Sequence, residues 1–212
     1  FNRRNNNRGG NDKRMSFQQR KAEEQAKQRA LELEQWVPKT ELGKKVKNKE
    51  ITSIDDVLKS GEKILESQIV DILLPGLEVE LLSVGQSKGK FGGGKKSIWK
   101  QTQKKTKEGN KPRFSAVVVV GNKDGYIGIG HGKSKETLPA REKATRKAKL
   151  NLISIRRGCG SWSCGCKDSH SVPYKVKGKR SSVIVELMPA PRGTQLSVNK
   201  ECQKILELAG IT

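Results

Sequence analysis

The chain has 212 residues with 44 Lys+Arg against 22 Asp+Glu, a formal charge of +22. That is far more than solubility requires, so a polyanion is the expected partner, nucleic acid first and an anionic membrane surface second. At 33% hydrophobic and 4% aromatic residues the chain can build one or two small cores but no single large globule. Some segments must therefore fold against a partner or stay loose, and the lack of any run of about eighteen apolar residues excludes a helical membrane span.

Residues 1–15 open on Phe-Asn-Arg-Arg, an Asn/Arg/Gly tract with almost nothing to bury. They are expected to be a basic arm that orders only on a phosphate backbone, and a chain starting with Phe1 is expected to begin inside a longer gene product. No positively charged stretch followed by an apolar core announces a secretory signal. From Ser16 to about Trp36 good helix formers dominate and Pro38 stops the helix, so residues 16–69 read as a helical extension. Two further helical signals follow, at Thr52 to Leu58 with capping residues and first-turn acids, and at Ile64 to Leu74 before Pro75-Gly76.

Residues 77–84 read as a strand. The Gly/Lys-rich stretch after it is not expected to pack a core of its own. Phe114 to Val120 is a run of strand formers, Gly121 to Gly125 a turn, and Tyr126 to Gly130 a second strand thinned by glycine. The helix expected from Thr137 to Leu152 places Ala140, Ala144, Ala148 and Leu152 at i+4 spacing, a small-residue stripe that lets a sheet come close, with Arg141, Lys143, Arg146, Lys147 and Lys149 over the remaining surface. Residues 153–157 suggest a strand, 158–170 a Gly/Cys-rich loop, and 171–176 and 182–188 two strands about a turn at Lys177-Gly178-Lys179. A final helix from about Val198 to Ala209 ends at Gly210. The fold class is α+β, with two small units, 70–152 and 153–212, behind the extension.

The charge is unevenly distributed. Residues 1–14 carry +4, 85–113 carry +9, 133–149 carry +5 and 156–180 carry +6, while the other 127 residues net −2. These four stretches are the expected contact surfaces.

Gly128-Ile129-Gly130-His131-Gly132-Lys133-Ser134 resembles a nucleotide loop but fails on spacing, since a phosphate-binding Walker loop needs glycine where Ile127 stands. The alternatives are a phosphate-backbone contact, with glycines admitting RNA or a neighbouring backbone and Lys133 and Lys135 attracting phosphate, or a structural turn. Cys159-x4-Cys164-x-Cys166-x3-His170 offers four ligands of zinc type in one loop. A closed structural zinc site and a loop of free thiols with a solvent-facing His170 both fit that spacing. Four cysteines in this arrangement do not make a secreted disulfide scaffold, so a reducing cytoplasmic setting is expected. Cys202 reads as a core residue of the last helix. Phe91 and Trp99, among lysines, are candidates for base stacking. No clustered carboxylates or Ser/His/Asp arrangement points to an enzyme.

Over residues 113–135 (RFSAVVVVGNKDGYIGIGHGKSK) the chain resembles the family of small ribosomal subunit protein five, in its archaeal and eukaryotic branch. The resemblance extends through Trp36-Val37-Pro38-Lys39-Thr40, Ile51 to Asp55, Ala148 to Leu152, Arg156-Arg157-Gly158, His170-Ser171-Val172-Pro173 and Pro189-Ala190-Pro191-Arg192-Gly193. It departs at Gln195, where relatives commonly carry glycine, and at residues 85–110, which look longer than in relatives. The resemblance implies a double-stranded-RNA-binding-like domain followed by a second small α+β domain. It also implies small-subunit ribosomal RNA and ribosomal proteins three, four and eight as partners, and a link to messenger RNA at its entrance channel and to decoding accuracy. Lys123, His131, Lys133 and Lys135 inherit an RNA-contact assignment, and Arg141, Arg146, Arg156, Arg157 and Arg192 are preferred phosphate contacts because guanidinium matches phosphate geometry. The cysteine-rich loop favours an archaeal source.

Overall fold

The computed structural model describes residue 31 and residues 33–212 except 88, 90–93, 95 and 167. The chain divides into two units, residues 1–37 and 38–212, and the described part of the first is helical at 31 and over 33–35. The basic arm and most of the helix expected over 16–36 lie outside the described residues, as does Phe91.

The second unit begins with three short helices, α1 (Glu41–Lys47), α2 (Ile54–Ser60) and α3 (Ser67–Leu73). Thr40 caps α1 by accepting the Gly43 N–H at 3.1 Å, and Ser53 caps α2 by accepting that of Asp55 at 3.2 Å. The sequence reading missed α1, whose apolar signal is only Leu42 and Val46. Both are buried, as are Val57, Ile69 and Val70. The Glu66 carboxylate accepts the N–H groups of Lys39 and Thr40 at 2.9 and 2.7 Å, which ties the start of α1 to that of α3.

A five-stranded antiparallel sheet follows: β1 (Glu78–Leu82), β2 (Lys100–Thr106), β3 (Gly109–Gly121), β4 (Tyr126–Ser134) and β5 (Leu152–Ser154). β3 is long enough to pair with both β2 and β1 along one edge, β2 over 109–115 and β1 over 117–121. β4 lies on its other edge, and β5 joins β4 only over 126–128. Helix α4 (Thr137–Leu150) covers one face. Its buried Ala140, Ala144 and Ala148 meet Gly132, Gly130 and Gly128 of β4, where an added Cβ would lie 2.1–2.2 Å from the carbonyl oxygens of those three alanines. The glycines therefore admit a neighbouring backbone, that of the helix. Val118 and Val120 complete this core.

The opposite face is sealed by α5 (Lys200–Leu208). Leu208, Ala209 and Ile211 pack with Leu82, Val119, Ile127 and Val172. Gly210, at φ +81°, takes the left-handed conformation that ends the helix, whereas Cys202 is exposed and not in the core. The remaining elements, β6 (Val176–Arg180) and β7 (Val183–Leu187), form a two-stranded sheet. Its turn lies at Ser181, φ +54°, rather than at 177–179, and residues 172–175 are not strand, because Ser171 instead bridges to Gly158.

Two polar contacts join the first helices to the sheet domain. The Tyr126 hydroxyl donates to Asp55 at 2.6 Å, and that bond, with burial second, pushes its pKa up to about 12. Lys149 on α4 is paired with Asp71 of α3 at 2.6 Å. Gln195 has φ +59°, a conformation in which a Cβ costs about 1–2 kcal/mol and which glycine adopts freely. Gln195→Gly is expected to raise the unfolding free energy by about 0.5–1 kcal/mol after the larger chain entropy of glycine is subtracted. Chemical denaturation of both proteins measures it.

Candidate nucleic-acid interface and metal-ligand cluster

Strand alternation sorts the cations of the sheet. Register places Lys100 opposite Ser115, Thr102 opposite Arg113, Lys104 opposite Lys111, Ser115 opposite Lys133 and Val117 opposite His131. Side chains directly across an antiparallel pair share a face. Lys100, Lys104, Lys111, Arg113, His131 and Lys133 therefore lie on one face, the same one that α5 covers further along, and all six are exposed. Lys100, Lys104, Lys111 and Arg113 project from the β2–β3 hairpin, which has almost no apolar cover, and this is why the sequence reading found charge there but not β2.

Around the free edge of β4 this face meets the exposed flank of α4. One groove of about 560 Å³ is lined by Arg113, Lys133, Lys135, Glu136, Pro139 and Lys143. A second, of about 490 Å³, is lined by His131, Lys133, Lys143, Arg146, Lys147 and Leu150. The alanines of α4 fix this arrangement, because holding one side of the helix on the sheet turns Arg141, Lys143, Arg146 and Lys147 outward. Among the described residues none of these four, nor His131, Lys133, Lys135 or Arg156, has an ion-pair partner. Such a surface presents N–H donors and positive charge at a spacing that an RNA backbone can meet.

The other predicted contacts sit differently. Lys123, in the left-handed region at φ +59°, is exposed but pairs with Glu78 at 2.7 Å, and that hydrogen bond raises its pKa. Arg157 is turned inward, its side chain only 17% exposed. Its guanidinium donates to the Asp124 carboxylate and, at 3.4 Å, to the carbonyls of Lys123 and Gly210, so it fastens the β3–β4 turn to the end of α5. Arg192 is exposed and paired with Asp168 at 2.9 Å. Trp99 is half-buried beside Gly85, with Ser97 bonded to its backbone N–H and carbonyl.

In the loop after β5, backbone hydrogen bonds in both directions between Gly158 and Ser171, at 2.8 and 2.9 Å, close the base. They bring the ligand atoms of Cys159, Cys164, Cys166 and His170 within 4.8 Å of one another. Cys166 Sγ lies 3.6 Å from Cys159 Sγ, and Cys164 Sγ lies 3.6 Å from His170 Nε2. Tetrahedral Zn–S bonds of about 2.3 Å place ligand atoms roughly 3.7 Å apart, so these two separations fit such a centre. The Cys164–Cys166 separation of 2.9 Å is shorter, a hydrogen bond between the two Sγ atoms that a shared ion would open. The bond from Cys166, followed by N–H groups of Arg192 and Cys166, holds the Cys164 thiol down to about 6. The same bond first, then burial, pushes Cys166 up to about 11. Three thiols and a buried imidazole make a donor set suited to a borderline-soft ion, with no position left open for substrate. His170 is buried rather than facing solvent, and its Nδ1 has no partner among the described residues.

Comparison with known proteins matches two segments of the chain to family models. A sequence model described as "Ribosomal protein S5, N-terminal domain" matches residues 98–156, and one described as "Ribosomal protein S5, C-terminal domain" matches residues 178–212. The small ribosomal subunit protein uS5 of Nanoarchaeum equitans is 49% identical over 181 residues, 85% of this chain and 78% of that protein. Its counterpart in Methanothrix thermoacetophila is 44% identical over 183 residues, 86% of this chain and 83% of that one. That of Aeropyrum pernix is 49% identical over 182 residues, covering 86% and 77%.

Proposed function

The chain belongs to the uS5 family of small ribosomal subunit proteins, in its archaeal/eukaryotic branch, and from that premise we propose that it is a structural, RNA-binding constituent of the small subunit, working in the cytoplasm without catalytic turnover. The observation that carries this reading is the continuous exposed cationic surface from the β2–β3 hairpin across Lys133 to the flank of α4. Lysines there act as point charges on phosphates, and Arg141 and Arg146 as bidentate partners. His131, Lys135 and Arg156 extend that surface, and Lys123 and Arg192 join it by exchanging a carboxylate for a phosphate. Arg157 supports it from beneath by holding the turn that carries Lys123.

The finer assignments rest on the family resemblance together with this charge map. They are a double-stranded-RNA-binding-like domain over 70–152 and a second α+β domain over 153–212, contacts with ribosomal proteins three, four and eight, and a role at the messenger entrance that affects decoding accuracy. Sucrose-gradient sedimentation after a high-salt wash tests the reading. The protein is expected to stay with small subunits, and its complete release into light fractions would overturn the reading in favour of a free RNA-binding module.

The cysteine cluster is assigned a structural zinc ion, which when bound supplies a closed cross-link between the two ends of the loop. Cys159, Cys164, Cys166 and His170 would hold it, the thiols as thiolates. Protein purified without a histidine tag is expected to contain close to one zinc per chain, whereas Cys164→Ser lowers the content below about 0.2. Elemental analysis reads both.

A further inference from the structure

Trp162 carries a surface that neither the fold nor the charge map uses. It is fully exposed, so both faces of the indole are open. Its loop is nonetheless held firmly at the base. The paired hydrogen bonds of Gly158 and Ser171 close it, and Gly160 lies so close to the Pro173 carbonyl that an added Cβ would stand 2.1 Å from that oxygen. Within the loop, Ser161 and Ser163 are joined hydroxyl to hydroxyl at 3.1 Å across Trp162. Next to Pro173 comes Tyr174, 68% exposed, followed by exposed Lys175, which pairs with Glu186 at 3.0 Å and would exchange that carboxylate for a phosphate. The Arg192 guanidinium donates to the Asp168 carboxylate at 2.9 Å, six residues beyond Trp162, which brings a second exposed cation to the same loop.

We propose that Trp162 is a stacking platform for one unpaired base of ribosomal RNA, with Arg192 and Lys175 against the neighbouring phosphates. The inference rests on the reading of the chain as a ribosomal RNA-binding constituent and adds a contact that reads an exposed base rather than a backbone. The surroundings of the indole select the ligand. Gly160, Ser161, Ser163 and Gly165 provide no apolar rim, whereas a protein hot spot is ringed by contacts that exclude water and an interfacial anchor needs several apolar residues together. A base needs only an open π-face and tolerates a polar border. The +6 charge of residues 156–180 favours the phosphates on either side of it.

Salt-washed small subunits containing the full chain are irradiated without added cross-linker, and the peptide–nucleotide adducts are mapped by mass spectrometry. An adduct joining Trp162 to a single unpaired nucleotide is expected. Acylation of ribose 2′-hydroxyls in subunits carrying Trp162→Ala then raises the reactivity of that nucleotide about threefold or more, and Trp162→Phe restores most of the protection. An adduct to another protein, no nucleotide responding to Trp162→Ala, or Trp162→Phe behaving as the alanine variant would each overturn the proposal. These outcomes are separate from failure of the ribosomal reading, which is seen as absence of the wild-type chain from the washed subunits. The wild-type adduct requires no substitution, so the test survives any folding defect in a variant.

Discussion

Gly130→Ala is expected to destabilise the protein by about 3 kcal/mol or more, lowering the melting temperature of a chain this size by roughly 6–12 °C. The added methyl would stand 2.1 Å from the Ala144 carbonyl oxygen and 2.3 Å from the Ala148 nitrogen. Both are helix backbone atoms, so no side chain can rotate away and α4 must lift from the sheet. Lifting it opens the core formed by Val118, Val120, Ala144 and Ala148 and displaces Arg141 and Arg146 together. Gly76→Ala is the control, because its Cβ position meets nothing within 4 Å, and it should change stability by less than about 0.5 kcal/mol. Calorimetry of the two variants settles the matter, and equal melting temperatures would show that the close approach of helix and strand is not what holds this domain.

Reversing two charges on the other side of the same helix should leave the fold intact and remove function. Arg141→Glu/Arg146→Glu changes the charge by four units on a surface where neither arginine has an ion-pair partner among the described residues. Incorporation into small subunits is expected to fall at least about tenfold. For isolated protein on its RNA, the slope of log affinity against log salt should become shallower by about two, one unit for each phosphate that is no longer neutralised. Lys44→Glu/Lys45→Glu makes the same change in net charge at exposed positions on α1, outside the four basic stretches. Incorporation unaffected by the first pair, or abolished equally by both, would contradict a placed interface and leave only nonspecific attraction.

How much of this was legible in the sequence depends on whether a residue's role was set locally. Phe114 to Val120, the turn before Tyr126, the alanine stripe of α4, the Ser53 cap and Gly210 all carry their instructions within a few positions, and each emerged where expected. The Cys159-x4-Cys164-x-Cys166-x3-His170 spacing likewise foretold a cluster, though not the burial of His170. What failed was long-range. β2 is exposed at every residue but half-buried Thr106, so no inward apolar alternation announces it. Its partner residues in β3 decide its register, and with it the face shared by Lys100, Lys104, Lys111 and Arg113. The turn between β6 and β7 was misplaced because Lys177-Gly178-Lys179 looks more turn-like than Arg180-Ser181-Ser182. Arg157 looked like a phosphate contact because its acceptors, Asp124 and the Lys123 and Gly210 carbonyls, lie far from it in sequence.

The sealing of the central sheet by α5 bears on the order in which the molecule can be made. Synthesis proceeds from the N-terminus, so β1 to β4 and α4 leave the exit tunnel before Leu208, Ala209 and Ile211 exist. Until then Leu82, Val119 and Ile127 lack the last helix that seals them, and the sheet is a layer that cannot complete its core. Its cationic face, however, is already present. A growing chain of this design can attract polyanion before it is fully folded, so the timing of release from the tunnel, and not affinity alone, governs whether its first encounter with RNA is with the finished surface.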